Sequence, residues 1–147
     1  MQEEKKAFIK HVVEEIIPLH KFLGIELLDV DEEKATLKVP YRPELLGNPM
    51  LPALHGGIIS TMMDAVGGIA GMTTLKSPED HISTIDIRID YLRPGKAENL
   101  IAEGKIARSG NRIVVAQMLA YNEGKRDTPI AEGKGVYNVK RKTDKTD

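Results

Sequence analysis

Residues 54–68 read LHGGIISTMMDAVGG, an apolar helical stretch in which one acid, Asp64, stands among methionines and small residues. A carboxylate taken out of water without a partner costs several kcal/mol, so its place on the helix decides what the segment is for. An α-helix returns to the same side about every seven residues. Gly57, Asp64 and Gly71 have that spacing, with Ser60, Thr61, Gly67 and Gly68 beside them. The other side carries Ile58, Ile59, Met62, Met63, Val66, Ile69 and Met72. The helix, expected from about Gly56 to Leu75, therefore has a greasy side for a sheet and a bare side that something else can approach. Its five glycines in 16 residues cost roughly 0.5–1 kcal/mol each relative to alanine. Tight packing against another helix accounts for that, as does a groove in which a ligand lies; Asp64 on the same stripe favours the groove.

The first turn adds a second feature. His55-Gly56-Gly57 places two sterically open backbone N–H groups where helical donors lack intrahelical acceptors and the dipole is positive. Such a turn can hold an anion or a developing oxyanion. Asp64 lies 8 residues beyond Gly56, about 12 Å along one helix. One helix cannot bring both to a single carbonyl, so a shared centre implies an acid from a second copy and a dimer with composite sites.

Outward from the helix, the chain alternates in pattern. Ile9, Val12, Val13, Ile16 and Ile17 form an apolar stripe on an N-terminal helix that Pro18 ends or bends. GIELLDV and KATLKV (residues 24–30 and 34–39) read as a hairpin closed by an acidic turn. PYRPELLGNPMLPAL, with four prolines, reads as an ordered loop. After the helix come four expected strands, Ile82–Arg93, Leu100–Arg108, Arg112–Tyr121 and Pro129–Val139, linked by turns rich in Gly and Asn. In the first, Ile85, Ile87, Ile89 and Tyr91 alternate with Thr84, Asp86, Arg88 and Asp90, so the isoleucine face is expected on the helix. The sum is an α+β fold, one curved antiparallel sheet wrapped around one long helix. It is expected to form a single domain over residues 1–147, with a charged tail that frays from about residue 140.

Composition sets limits. With 41% hydrophobic and 29% charged residues the 147-residue chain can bury one core. A net charge of −1 favours neither nucleic acid nor anionic membrane, and the absence of cysteine removes disulfides, thiolate chemistry and thiolate-ligated zinc. His11, His20, His55 and His81 have no ligand-like spacing, so no metal is expected, and the three besides His55 read as surface or helix-end residues. The N-terminus reads as an amphipathic helix rather than a signal peptide, no stretch is a clean membrane span, and a cytoplasmic location is expected.

LHGGIISTMMDAVGG resembles the signature of hotdog-fold acyl-CoA thioesterases of the phenylacetate-degradation (PaaI-like) branch. There His-Gly-Gly opens the central helix and an acid follows nine residues after the His, as Asp64 follows His55. STIDIRIDYLRPG also resembles the family's strand after the helix, and the likeness extends over most of the chain. It implies an acyl-CoA thioester substrate, aryl or medium-chain, hydrolysed at a site shared within a homodimer, often part of a homotetramer, with no cofactor beyond the substrate's own coenzyme A. Carried over by position, the Gly56 N–H polarises the carbonyl, Asp64 from the partner is nucleophile or general base, Thr84 orients water, and His55 shapes the helix start. Gly57, Thr61 and Gly68 line the substrate groove.

Two positions depart from the pattern. The family often has an amide six residues before the His; here that residue is Pro49, and Asn48 lies one further back. Strict alternation also puts Thr84 on the charged face of its strand, so a bulge is needed to turn it inward. Coenzyme A phosphates call for cations, and Arg93, Lys96, Arg108 and Arg112 flank the strand ends. Two other classes compete: a hotdog enoyl-CoA hydratase or dehydratase, which usually has a different helix sequence, and a non-catalytic acyl-CoA sensor, for which no DNA-binding segment is present.

Overall fold

The computed structural model describes residues 1–144. Helix α1 (Glu3–His11) runs into a π-helical turn (Val12–Ile16) and helix α2 (Pro18–Leu23), followed by strands β1 (Glu26–Asp31) and β2 (Lys34–Val39). A short hairpin, β3 (Leu46–Asn48) and β4 (Ala53–Leu54), leads into the long helix α3 (Gly56–Met72). Strands β5 (His81–Tyr91), β6 (Leu100–Ser109), β7 (Ile113–Asn122) and β8 (Ala131–Lys140) complete the chain. The sheet is six-stranded and antiparallel, in the order β1-β2-β6-β7-β8-β5, with α3 lying on one face. No helix is long and apolar enough to cross a membrane among the described residues.

Helix α3 carries its apolar side into the sheet, where Met62, Met63 and Val66 are fully buried. The approach is backbone to backbone. A Cβ on Gly104 of β6 would lie 2.7 Å from the Val66 carbonyl oxygen, and one on Gly67 would overlap the Tyr137 hydroxyl of β8. That hydroxyl donates to the Asp64 carbonyl oxygen at 2.9 Å, pinning the middle of the helix to the sheet. Burial, with the Asp64 charge nearby, raises the Tyr137 pKa far above the ordinary phenol range, so the hydroxyl stays a donor. The helix stops at Met72, short of Leu75. Thr73 and Thr74 hydroxyls donate back to the carbonyls of Ala70 and Gly71, and the Lys5 ammonium takes those of Thr73 and Leu75.

Several expectations are corrected. The bare glycine stripe is only half bare: Gly67 and Gly71 are buried against the protein's own sheet, while Gly57 is exposed and Thr61, Asp64 and Gly68 are half-buried. The N-terminal helical run ends at Ile16, just before Pro18 as expected, and Pro18 then opens the separate helix α2; the π turn leaves Ile16 exposed while Ile9 and Val13 enter the core. Of the two readings given for His20, helix end holds, since it lies in the last turn of α2, but surface does not. It is buried with Nδ1 3.2 Å from the Val13 carbonyl oxygen, and burial lowers its pKa. The segment PGKAEN does not join neighbours, because β5 pairs with β8 and β6 with β2. The proline-rich loop contains the β3–β4 hairpin.

At the C-terminus, Lys140 ends β8 and residues 142–144 form a 3₁₀ turn, while the rest of the tail expected to fray, residues 145–147, lies outside the described residues. Arg141 is buried and its guanidinium meets Asp80 at 3.0 Å. Asp80 also accepts the N–H groups of Lys142, Lys76 and Ser77. Those bonds, the one from Lys142 first, hold its carboxyl at about 2, below its ordinary 3.8.

Two stability measurements follow from this packing. Gly104→Ala sets a methyl against the Val66 carbonyl oxygen, so chemical denaturation is expected to report a loss of about 1–3 kcal/mol. Because the Asp80 pKa is lowered on folding, its contribution is complete above about pH 4 and lost as pH falls toward about 2. Asp80→Asn is expected to melt below wild type at neutral pH, with the gap closing in acid; a gap of constant size would exclude this linkage.

Candidate active site

The uncovered strip of α3 faces the inner side of β5, the last strand on its side of the sheet. The register of β5 on β8 breaks between Thr84 and Asp86, leaving Ile85 as an extra, unpaired residue. The alternation therefore inverts at that point. Ile82 and Thr84 before the bulge share the inner face with Ile87, Ile89 and Tyr91 after it. Ile85, expected on the helix, is instead 56% exposed, and Thr84 is turned toward α3.

Thr84 then meets the acid: its Oγ1 donates to Asp64 Oδ1 at 2.8 Å. The pair sits in the open. Asp64 is half-buried and Thr84 exposed, and the Tyr137 hydroxyl lies close enough to interact with the same carboxylate. A carboxylate so placed keeps contact with water and needs no buried counter-ion. Thr61, one turn back on the same strip, uses its hydroxyl on the Gly57 carbonyl at 2.8 Å, and at Gly68, one turn on, a Cβ would lie in ordinary contact 3.6 Å from the Tyr137 ring.

At the other end of the strip the helix start is built around His55. It is the N-cap, with extended backbone, and its Nδ1 accepts the Gly57 N–H at 2.8 Å. Ile58 and Ile59 N–H both reach the His55 carbonyl oxygen. Of the first-turn donors, the Gly56 N–H alone is left without an acceptor among the described residues. Two glycines thus serve different ends: one amide is consumed by the cap, the other stays available at the positive end of α3. Tyr91 fixes this turn laterally, its hydroxyl donating to the Gly56 carbonyl oxygen at 3.0 Å and bonding the Ser60 hydroxyl. Alternation set Tyr91 on the strand face toward the helix and Ser60 on the helix's bare stripe, but it did not show that the two meet at the helix start, because alternation gives a face and not a position along the helix.

The remaining candidates fall in two groups. Gly47 packs on His55, with a Cβ there only 2.9 Å from the His55 Cα, so Asn48 is next to the helix start. Its Oδ1 is spent on the turn, accepting the Met50 and Leu51 N–H groups at 2.9 and 3.3 Å. Lys96 bridges backbone to backbone with Ala53, and the Gly95 carbonyl takes the Leu54 N–H, which brings this loop to the same end of the molecule. Arg93 belongs to that end too, with Nη1 on the Pro129 carbonyl oxygen at 2.9 Å. Arg108 and Arg112 do not. They flank the β6–β7 turn at the far end of strands 10 residues long, about 33 Å at 3.3 Å per residue. Among the described residues no group of three or more His, Asp or Glu side chains converges as a metal would require.

Residues 51–128 match the thioesterase superfamily. YigI of Escherichia coli K12, a medium/long-chain acyl-CoA thioesterase, is 33% identical over 146 residues, spanning 91% of this chain and 90% of its own. A crystal structure from Shewanella oneidensis, of a protein related to the thioesterase superfamily, superimposes with a TM-score of 0.81 at 33% identity, over 93% of this chain and 96% of that one. A thioesterase family protein from Silicibacter pomeroyi has the same fold, with a TM-score of 0.80 at 24% identity over 90% and 96% of the two chains. The cap at the helix start is open to a direct check. His55→Ala removes the acceptor of the Gly57 N–H, and denaturation is expected to report a loss of about 0.5–2 kcal/mol.

Proposed function

The chain belongs to the thioesterase superfamily, and from that membership we propose that it hydrolyses acyl-coenzyme A thioesters at a site completed by a second copy. The observation that carries the reading is the Thr84-held carboxylate of Asp64, standing on the one strip of α3 that its own sheet leaves bare. The acyl group we assign is of medium or long chain, the class named for YigI. The acid nine residues after His55 supports the phenylacetate-degradation branch within the superfamily.

In this mechanism the thioester carbonyl oxygen sits at the free Gly56 N–H of one copy. Asp64 of the other copy is brought to the carbonyl carbon, because eight residues of a single helix separate the two groups by about 12 Å. The second copy docks on the β5 edge, where Tyr91 and Leu92 are exposed. As general base, Asp64 takes a proton from water while the water oxygen attacks, with Thr84 orienting the carboxylate. As nucleophile, it forms a mixed anhydride that water then hydrolyses. By either route the oxyanion collapses, the carbon–sulfur bond breaks, and the coenzyme A thiolate, a good leaving group, departs and takes up a proton. Thr61, Gly57 and Gly68 bound the groove for the acyl-pantetheine chain, and Lys96 and Arg93 attract the phosphates at its mouth. Asn48 supports the turn beside His55.

Asp64→Asn keeps an acceptor for Thr84 but can neither attack nor take a proton. Release of free thiol from a panel of acyl-CoAs is expected to fall at least about 10²-fold, the scale of losing one key transition-state contact, with circular dichroism unchanged. Undiminished turnover would remove Asp64 from the chemistry. Hydration of an enoyl-CoA without thiol release would move the protein to the hydratases, and binding without any reaction would make it a sensor.

A further inference from the structure

The strip of α3 that carries Asp64 does not stop at Gly68. Met72 lies one turn beyond Gly68, as Gly68 lies one turn beyond Asp64, and Leu75 follows just after the helix has ended. Both Met72 and Leu75 are half-buried, and both line a cavity of about 490 Å³ that α1 bounds as well. Helix α1 contributes Phe8 and Ile9 to it, and the turn before β5 contributes Pro78. Ile9 belongs to the core at 1% exposure, whereas Phe8 beside it keeps 52% of its surface open. Apolar side chains left wet in a recess gain free energy when hydrocarbon covers them.

The walls of this cavity are fastened by polar bonds. Lys5 Nζ donates to the carbonyl oxygens of Thr73 and Leu75 at 2.6 and 3.0 Å, which ties α1 to the end of α3. Asp80 accepts the N–H groups of Lys76 and Ser77 and meets Arg141, so the turn before β5 is fixed too. The way from Asp64 to the cavity passes Gly68. A Cβ on Gly67 or Gly71 would collide with Tyr137 or Ile82, but one on Gly68 would stand in ordinary contact at 3.6 Å. The sheet therefore does not require a glycine at position 68. A clear path along the helix surface between Asp64 and Met72 does.

We propose that this cavity receives the far end of the substrate's acyl chain, and that Phe8, Met72 and Leu75 set the preferred chain length. The inference rests on the acyl-coenzyme A reading above and adds to it where the chain runs and what ends it. From Asp64 to Met72 is eight residues, about 12 Å along the helix, which an extended hydrocarbon covers with about ten carbons at standard bond lengths. Gly68 is four residues from Asp64, about 6 Å, so a hexanoyl chain ends beside it. A tetradecanoyl chain passes Met72 and places its last carbons between Phe8 and Leu75. Met72, unbranched and flexible, adapts to chain ends of different length. Every residue of the cavity comes from the copy that supplies Asp64, so chain length is read by one copy although the reaction uses two.

The ratio of kcat/KM for tetradecanoyl-CoA to that for hexanoyl-CoA, measured below the micellar concentration of the longer substrate, tests it. A methylene moved from water into an apolar site is worth about fourfold. Leu75→Trp, which fills the cavity, and Phe8→Asp, which sets a charge at the chain's end, are each expected to lower the ratio at least about tenfold, the equivalent of about two methylenes. Phe8→Leu, which keeps the site apolar, is expected to hold the ratio near wild type. Phe8 is half exposed, so its variants fold even if Leu75→Trp does not, and circular dichroism checks each. A folded Leu75→Trp or Phe8→Asp protein with the wild-type ratio, including one in which both substrates slow equally, overturns the proposal. Wild type that releases thiol from neither substrate rejects the thioesterase reading instead. The proposal is then read from the dissociation constants of S-tetradecyl- and S-hexyl-CoA thioethers, whose ratio is expected to shift in the same variants and, if it does not, overturns it.

Discussion

Everything in this molecule turns on how closely α3 sits on the sheet. Gly67 on the helix and Gly104 on β6 remove the side chains that would keep two backbones apart, and the Tyr137 hydroxyl closes on the Asp64 carbonyl oxygen in the space left. A helix held by its backbone cannot roll. Its rotation about its own axis is fixed, and with it the direction of every side chain along 17 residues. That is why Asp64 emerges beside β5 instead of dipping into the core, and why its carboxylate can stay wet while its carbonyl is buried. One tyrosine thereby serves both the fold and the proposed site: it fastens the backbone of the residue whose carboxylate we propose as the reacting group.

The layers of this fold were legible in the sequence because they rest on periodicity. A 3.6-residue rhythm around Met62, Met63 and Val66 and a two-residue rhythm in the strands give one helix and one antiparallel sheet. Strand partners were less legible. Short turns suggest neighbours, yet β5 crosses over to pair with β8, because α3 intervenes between β2 and β5 and the later strands fill the middle of the sheet. The bulge at Ile85 was visible only as a contradiction. Thr84 had to face inward for the site and outward by alternation, and no local residue preference announces which requirement yields. The structure resolves this by inserting one residue, which inverts the strand's faces.

The glycines teach a similar lesson at the site. Spacing alone joins Gly57, Gly67, Gly68 and Gly71 into one stripe, but the causes differ by position. Gly67 and Gly71 are small because the helix touches its own sheet, with a Cβ on Gly71 running into Ile82. Gly57 is small because a Cβ would strike His55 Nδ1 at 2.8 Å and disturb the cap. Gly56 has room for a Cβ, which would meet the Tyr91 ring only at an ordinary 3.5 Å. A sequence records that a residue is small; only packing tells which neighbour made it so. The same holds for Asn48, chosen for its amide and found holding a turn.

The two faces of the sheet carry opposite kinds of information. On the inner face the register is fixed by shape, since a slip of one residue would expose the core. On the outer face no such penalty operates, and a random scatter of charges would serve solubility equally well. There alternation alone places the charged side chains, and like charges stand directly opposite one another in three pairs, Lys34 with Lys105, Lys134 with Arg88 and Glu132 with Asp90.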